Sequence, residues 1–128
     1  MKTLGIDYGE RKIGIAVAET KIAEPYLVLR YKSQEKVIKK ILEIIELLKI
    51  EKIIVGVSEG RSALKSKIFA EKLLKKITIP LEFFDETLTT QKAIELSIEA
   101  GIKRLKRRKF EDAYAATVML QLYLEKYV

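Results

Sequence analysis

Apolar and polar positions along this chain fall into a few repeating patterns, and those patterns predict its elements. Thr3–Tyr8 and Lys12–Glu19 are short β-rich runs separated by Tyr8-Gly9-Glu10-Arg11, which reads as a hairpin with Gly in its turn. Tyr26–Tyr31 gives a third strand, so the first three strands form an antiparallel meander. Ser33 is a candidate N-cap for the next segment, although Lys36 stands where a capping box would have Glu. Val37, Ile38, Ile41, Leu42, Ile44, Ile45 and Leu48 then recur at helical spacing, with lysines and glutamates between them. Ile53–Val57 is a short apolar run typical of a buried parallel strand. A second helix is expected over about Arg61–Ile77, ended by Pro80, and a further strand over Leu81–Phe84. A helix over about Thr89–Ala100 with Gly101 as its C-cap, and a last helix over about Phe110–Lys126, complete the chain. The order β-β-β-α-β-α-β-α-α predicts an α/β fold: a mixed five-stranded sheet, antiparallel in its first three strands, with helices on its faces. No repeat, low-complexity tract or linker interrupts it, so residues 1–128 are read as a single domain.

Composition changes this picture chiefly by exclusion. The 128 residues contain no His, Cys or Trp. A disulfide framework, a thiolate nucleophile, a His-ligated zinc and a Ser-His-Asp triad are therefore all ruled out. Carboxylates, hydroxyls, Lys, Tyr or a hard metal ion must carry any reaction. Lys and Arg number 25 against 18 Asp and Glu, a formal charge of +7. Such a surplus favours polyanions, nucleic acid first and an anionic membrane surface second, while a merely soluble Lys-rich surface is the plainer alternative. The first residues meet a charge after few apolar positions, and no run approaches a membrane span of ~20 apolar residues. The expectation is a cytoplasmic protein without a membrane partner.

The carboxylates are the candidates for chemistry. Asp7 ends an otherwise apolar strand, a costly place for a charge unless it is paired or binds a cation; otherwise it is a turn residue capping local amides. Asp85 and Glu86 follow the strand Leu81–Phe84, at the sheet edge where open α/β sheets place ligands, or else they simply precede a helix. Glu59 follows Ile53–Val57 at the same edge and has the same two readings. Asp112 lies in the first turn of the expected last helix, where acids favour the dipole, yet Ala116, Met119 and Tyr123 share its face. Together these suit a hard dication with oxygen ligands, of the kind that activates water for phosphodiester hydrolysis.

At these residues the chain resembles the YqgF/RuvX family, and the match runs nearly end to end. Asp7-Tyr8-Gly9-Glu10-Arg11-Lys12-Ile13-Gly14-Ile15-Ala16 resembles the family's opening Asp-x-Gly-x-Lys-Arg-Ile-Gly-x-Ala. Ile54-Val55-Gly56-Val57 resembles its Val-Val-Gly-Leu strand, and Asp85-Glu86-Thr87-Leu88-Thr89-Thr90 its Asp-Glu-Arg-Leu-Thr-Thr. The run from Asp112 to Leu124 resembles its closing Asp-x-x-Ala-Ala-x-x-Ile-Leu-Gln-x-Tyr-Leu. The resemblance implies an RNase H-like fold and a metal-dependent nuclease that processes the 5′ end of pre-16S ribosomal RNA, with Holliday junction resolution as the older suggestion. It implies Asp7, Glu86 and Asp112 as catalytic and metal-holding residues for Mg²⁺ or Mn²⁺, with Asp85 beside them and Glu59 as a further candidate ligand. Three departures stand out: Arg11-Lys12 reverses the family's Lys-Arg, Thr87 replaces its Arg, and the loop after Val57 is shorter.

Six of the seven residues Lys103-Arg104-Leu105-Lys106-Arg107-Arg108-Lys109 are cationic. This run reads as a solvated linker or, given its place just before Asp112, as a nucleic-acid contact that positions the backbone without reading sequence. Arg11, Lys12 and Arg61 are candidates for the same role, toward structured RNA or branched DNA, and the protein is expected to act as a monomer or weak homodimer. Two other functions remain open at this point. One is a nucleic-acid-binding module without catalysis, which would bind without metal. The other is an ATP-binding protein of the actin and sugar-kinase type, whose domains also begin with an Asp-x-Gly hairpin.

Overall fold

The computed structural model describes residues 1–9, 12–57, 61–85 and 104–127, with side chains throughout except at 61–62 and 104–112. Five strands form one sheet: β1 (Thr3–Tyr8), β2 (Lys12–Ala18), β3 (Ala23–Arg30), β4 (Lys52–Val57) and β5 (Leu81–Asp85). Their spatial order is β3-β2-β1-β4-β5. The β1–β2 and β2–β3 pairs are antiparallel, and β4 and β5 add in parallel beyond β1. This is the mixed sheet expected from the sequence. The one long correction within it is β3, which starts at Ala23 rather than Tyr26 and contains Pro25. Proline cannot donate to a ladder, but β3 is an edge strand, and the pairing shifts register between Ile15 and Ala16 to accommodate it.

The helices α1 (Gln34–Leu48) and α2 (Arg61–Leu74) cover one face, where Val37, Ile41, Phe69 and Leu73 pack on Leu4, Ile6 and Ile53. Helix α3 (Arg104–Tyr127) covers the other, where Ala116, Met119, Leu120 and Tyr123 pack on Ala16, Ala18 and Ile54. Ser33 caps α1 as expected, its hydroxyl accepting from the Lys36 amide at 3.3 Å. The expected helix over 89–100 and its C-cap Gly101 lie outside the described residues. Helix α3 begins at Arg104, some six residues before the expected start, so Arg104–Lys109 are helical rather than a linker. Lys and Arg are good helix formers, and nothing in that run breaks a helix, so the charge density masked an element the backbone favours.

Two glycines fix the geometry around β1. A Cβ at Gly5 would stand 3.0 Å from the Leu120 Cβ and 3.5 Å from the Ala116 carbonyl, so α3 sits directly on the strand there. A Cβ at Gly9 would stand 2.6 Å from the Lys12 carbonyl, to which the Gly9 amide donates at 2.9 Å.

Candidate nucleic-acid cleavage site

Alternation along β1 decides where Asp7 sits. Leu4, Ile6 and Tyr8 face α1 and α2, and Gly5 faces α3, so Asp7 is on the α3 face, half-buried, near the carboxyl end of the strand. Its in-register neighbours are Gly14 on β2 and Gly56 on β4. Asp7 is thus the only residue of that three-strand row with a side chain. A carboxylate among apolar strands needs compensation, and the flanking glycines place no side chain of their own beside it. Phe84 of β5, in register with Gly56, closes the row and packs edge-on to Tyr123 at 6.1 Å.

Helix α3 runs antiparallel to β1. Tyr123 meets Lys52, which is in register with Thr3 at the amino end of β1, and Leu120 and Ala116 lie over Gly5. The backbone of Asp112 therefore comes one turn before Ala116, about 6 Å further toward the end where Asp7 lies. Ala116, Met119 and Tyr123 are buried against the sheet, so Asp112 heads the stripe of α3 that meets it. The structure thus brings the positions of Asp7 and Asp112 to one face and one end.

Asp85 ends β5 in register with Val57 and is exposed. It shares the alternation of Leu81, which packs on the α1 and α2 side, so it is not brought to the face of Asp7. Glu59 and Glu86 lie outside the described residues, as do Arg11 and Lys103. Among the described residues no group of three or more carboxylates forms a metal cage. Lys12 opens β2, half-buried and in register with Arg30. Arg61 opens α2, and Arg104, Lys106, Arg107, Arg108 and Lys109 occupy the first turns of α3, ahead of Asp112.

The carboxyl end of β1 is braced by aromatic and polar contacts. The Tyr31 hydroxyl donates to the Gly9 carbonyl at 2.9 Å, and the Gln34 side-chain amide donates to the Tyr8 hydroxyl at 2.9 Å. The Lys72 ammonium in turn donates to the Gln34 amide oxygen at 2.7 Å. The Tyr8 ring packs on Phe69 at 4.8 Å.

At the other end of the sheet α3 is pinned by a closed triangle. Lys52 donates to the Tyr123 hydroxyl and pairs with Glu82 at 2.8 Å, and Tyr123 donates to Glu82 at 2.7 Å. The Lys52 hydrogen bond, then that of Tyr123, holds the Glu82 carboxyl below its ordinary 4.5. Hydrogen bonds to Glu82 and then Tyr123 hold the Lys52 ammonium above 10.5, and burial pushes the Tyr123 phenol above 10.0. The sequence reading missed this triangle, whose members come from three elements with no shared motif.

Residues 1–126 match the family model described as RuvX, Holliday junction resolvase. The chain belongs to the RuvX family. A RuvX-family relative from Caldanaerobacter subterraneus subsp. tengcongensis, named "Putative pre-16S rRNA nuclease", is 38% identical and covers 98% of this chain and 96% of its own. One of the same name from Natranaerobius thermophilus is 35% identical over 100% of this chain and 96% of its own. Among solved structures, Thermus thermophilus RuvC in complex with a Holliday junction substrate superposes with a TM-score of 0.62 at 17% identity, covering 99% of this chain and 96% of that one. The Fowlpox virus resolvase with Holliday junction DNA gives 0.68 at 12% identity, covering 100% and 99%. These likenesses identify the fold of this RuvX-family chain as RNase H-like.

Proposed function

We propose that this RuvX-family protein is a metal-dependent nuclease that hydrolyses phosphodiester bonds in structured RNA, with 5′-end processing of pre-16S ribosomal RNA as its task. The observation that carries the reading is Asp7, held half-buried between Gly14 and Gly56 on the face that α3 brings Asp112 toward. Family membership and the names of the relatives support the substrate.

The donor set fits a hard divalent ion. With no His or Cys in the chain, every strong ligand is an oxygen, which suits Mg²⁺ or Mn²⁺. Asp7, Glu86 and Asp112 would hold it, with Asp85 and Glu59 as the remaining acidic candidates. Bound there, the ion would acidify water and offset the charge developing on the phosphate. The chain's own part is positioning. Gly14 and Gly56 leave a side-chain-free strip on which a phosphate can approach Asp7. Lys12, Arg11, Arg61 and the cations from Lys103 to Lys109 would neutralise neighbouring phosphates and hold the strand in register. Water adds to phosphorus, one P–O ester bond breaks, and the departing oxygen gains a proton. With that task the protein would act in the cytoplasm, and we take it to act as a monomer or weak homodimer. No helix among the described residues is long and apolar enough to cross a membrane.

The test is cleavage of a pre-16S RNA fragment and of a four-way DNA junction by purified protein with Mg²⁺ or Mn²⁺. We expect cleavage of the RNA, and its loss in Asp7→Asn with an unchanged circular dichroism spectrum. Preferential cutting of the junction would move the substrate to branched DNA. Metal-independent binding by both proteins without turnover would leave a binding module. Equal cleavage by both proteins would overturn the assignment of Asp7.

A further inference from the structure

A second charged feature lies at the same end of the sheet, on its other face. The end of β3 and the first turns of α1 enclose a groove of about 600 Å³. Arg30, Lys32, Lys36 and Lys40 line it, with Tyr31 and Val37 among its apolar walls, and none of the described residues that line it is acidic. Among the described residues the nearest compensation is weak. Lys40 pairs with Glu43 at 3.9 Å in an exposed contact, and Glu35 in the first turn of α1 does not line the groove. Lys32, Lys36 and Lys40 stand on the α1 side of the concavity, and Arg30, which alternation turns to the Asp7 face, lies at its rim; together they favour a polyanion that passes round the β3 edge from one face to the other.

We propose that this groove is a second nucleic-acid contact, which grips the phosphodiester backbone of a duplex arm beside the cleavage site. The inference rests on the nucleic-acid part of the reading above and not on catalysis. Register places the groove relative to Asp7. Asp7 pairs with Gly14, Gly14 with Val28, and Arg30 follows Val28 by two residues. Two strand spacings across and two residues along set Arg30 about 12 Å from Asp7, within reach of one duplex arm. Lys12, in register with Arg30, bridges the interval. The groove is also tied mechanically to the strand that carries Asp7. Its Tyr31 donates to the Gly9 carbonyl, and Gln34 at the start of α1 donates to Tyr8. An arm held there is therefore fixed relative to the end of β1.

The experiment measures affinity against salt concentration in an Asp7→Asn background, so that substrate is not consumed. The probes are a labelled RNA duplex, a DNA duplex of the same sequence, and phosphatidylglycerol vesicles. Lys32→Glu/Lys36→Glu is compared with Lys21→Glu/Lys126→Glu, which changes the net charge equally at the opposite end of the sheet. The groove pair should lower the slope of log affinity against log salt by about 2 and weaken duplex binding roughly tenfold or more. The distant pair should cost less than half of that. Both groove lysines are exposed, and only the backbone amide of Lys36 enters the cap, so the fold is retained. Lys32→Gln/Lys36→Gln should give the same loss of slope without added repulsion. A loss on RNA alone assigns the groove to RNA arms, and a loss on both duplexes assigns it to either backbone. Equal slopes for the two charge-reversal pairs, or vesicle binding that depends on the groove while duplex binding does not, would overturn the inference. Cleavage by the wild-type protein is scored separately, so failure of the nuclease assignment and failure of the groove give different results.

Discussion

Lys49 ends α1 in the left-handed region, with φ 58° and ψ 48°, a conformation that costs an L residue with a Cβ about 1 kcal/mol or more. It is tolerated because its amide and that of Ile50 both reach back to the Ile45 carbonyl, the latter at 3.0 Å, closing the helix end. Glycine is the residue this position favours. Lys49→Gly should raise stability by about 0.5–1 kcal/mol after allowing for the added freedom of the unfolded chain. Thermal melts should show a rise of a few degrees, and no rise would mean that the surrounding hydrogen bonds already relieve the strain. The contrast with Asp7 is instructive. Lys49 is strained in its backbone, whereas Asp7 is a half-buried acidic residue in ordinary strand geometry, where the charge can be offset by a partner or a ligand. A charge can be offset in that way and backbone strain cannot.

Between elements, the contact of α3 with β1 sets the site. Gly5→Ala would place a Cβ 3.0 Å from Leu120, and α3 must shift to accept it. The expected loss is about 1–3 kcal/mol, with cleavage reduced further than stability, because Asp7 and Asp112 stand on the two sides of that contact. Cleavage falling no more than the folded fraction would show that the site tolerates the shift. The Lys52–Glu82–Tyr123 triangle anchors the same helix at its far end. Glu82 titrates lower in the folded protein than in the unfolded chain, so its contribution is present above about pH 4.5 and is lost as pH falls through the folded value. Lys52 titrates higher when folded, so its contribution is present below about pH 10.5 and is lost as pH rises through its folded value. Half-exposure of Glu82 keeps the effect small. Glu82→Gln should cost up to about 1 kcal/mol at neutral pH, and its melting curve should converge on that of the wild type in acid. A difference that persists in acid would point to packing instead. The strands, the Ser33 cap and α1 were legible in the sequence because alternation, helical period and turn residues act locally. The start of α3 was not, because its cations read as a solvated linker or a nucleic-acid contact and gave no apolar period to mark a helix. The role of Gly14 and Gly56 needed the register, since only strand pairing places them beside Asp7. The basic groove needed tertiary structure, because Arg30 and Lys36 belong to elements whose separate patterns say nothing of a shared concavity.

For the molecule as a whole, opposite charges occupy neighbouring regions of one sheet edge. A chain of net charge +7 gathers acidic positions at the ends of β1 and β5 and in α3, with cations in the first turns of α3 and in the β3–α1 groove. On the proposed reading Asp7 and Asp112 share a divalent ion, and without it their like charges would oppose folding. Removing one of them should then relieve that opposition, so Asp7→Asn in chelator should melt at or above the wild-type temperature. A divalent ion that binds only the folded state adds stability as RT ln(1 + [L]/Kd), about 2.7 kcal/mol at a hundredfold excess over Kd. Mg²⁺ or Mn²⁺ should therefore raise the melting temperature of the wild type by several degrees and that of Asp7→Asn by much less, reversing their order. The reversal separates a site at Asp7 from general screening, because monovalent salt at matched ionic strength should move both proteins alike. An equal rise in both would place the ion elsewhere and remove Asp7 from its ligands, leaving the cationic surfaces to account for nucleic-acid binding alone.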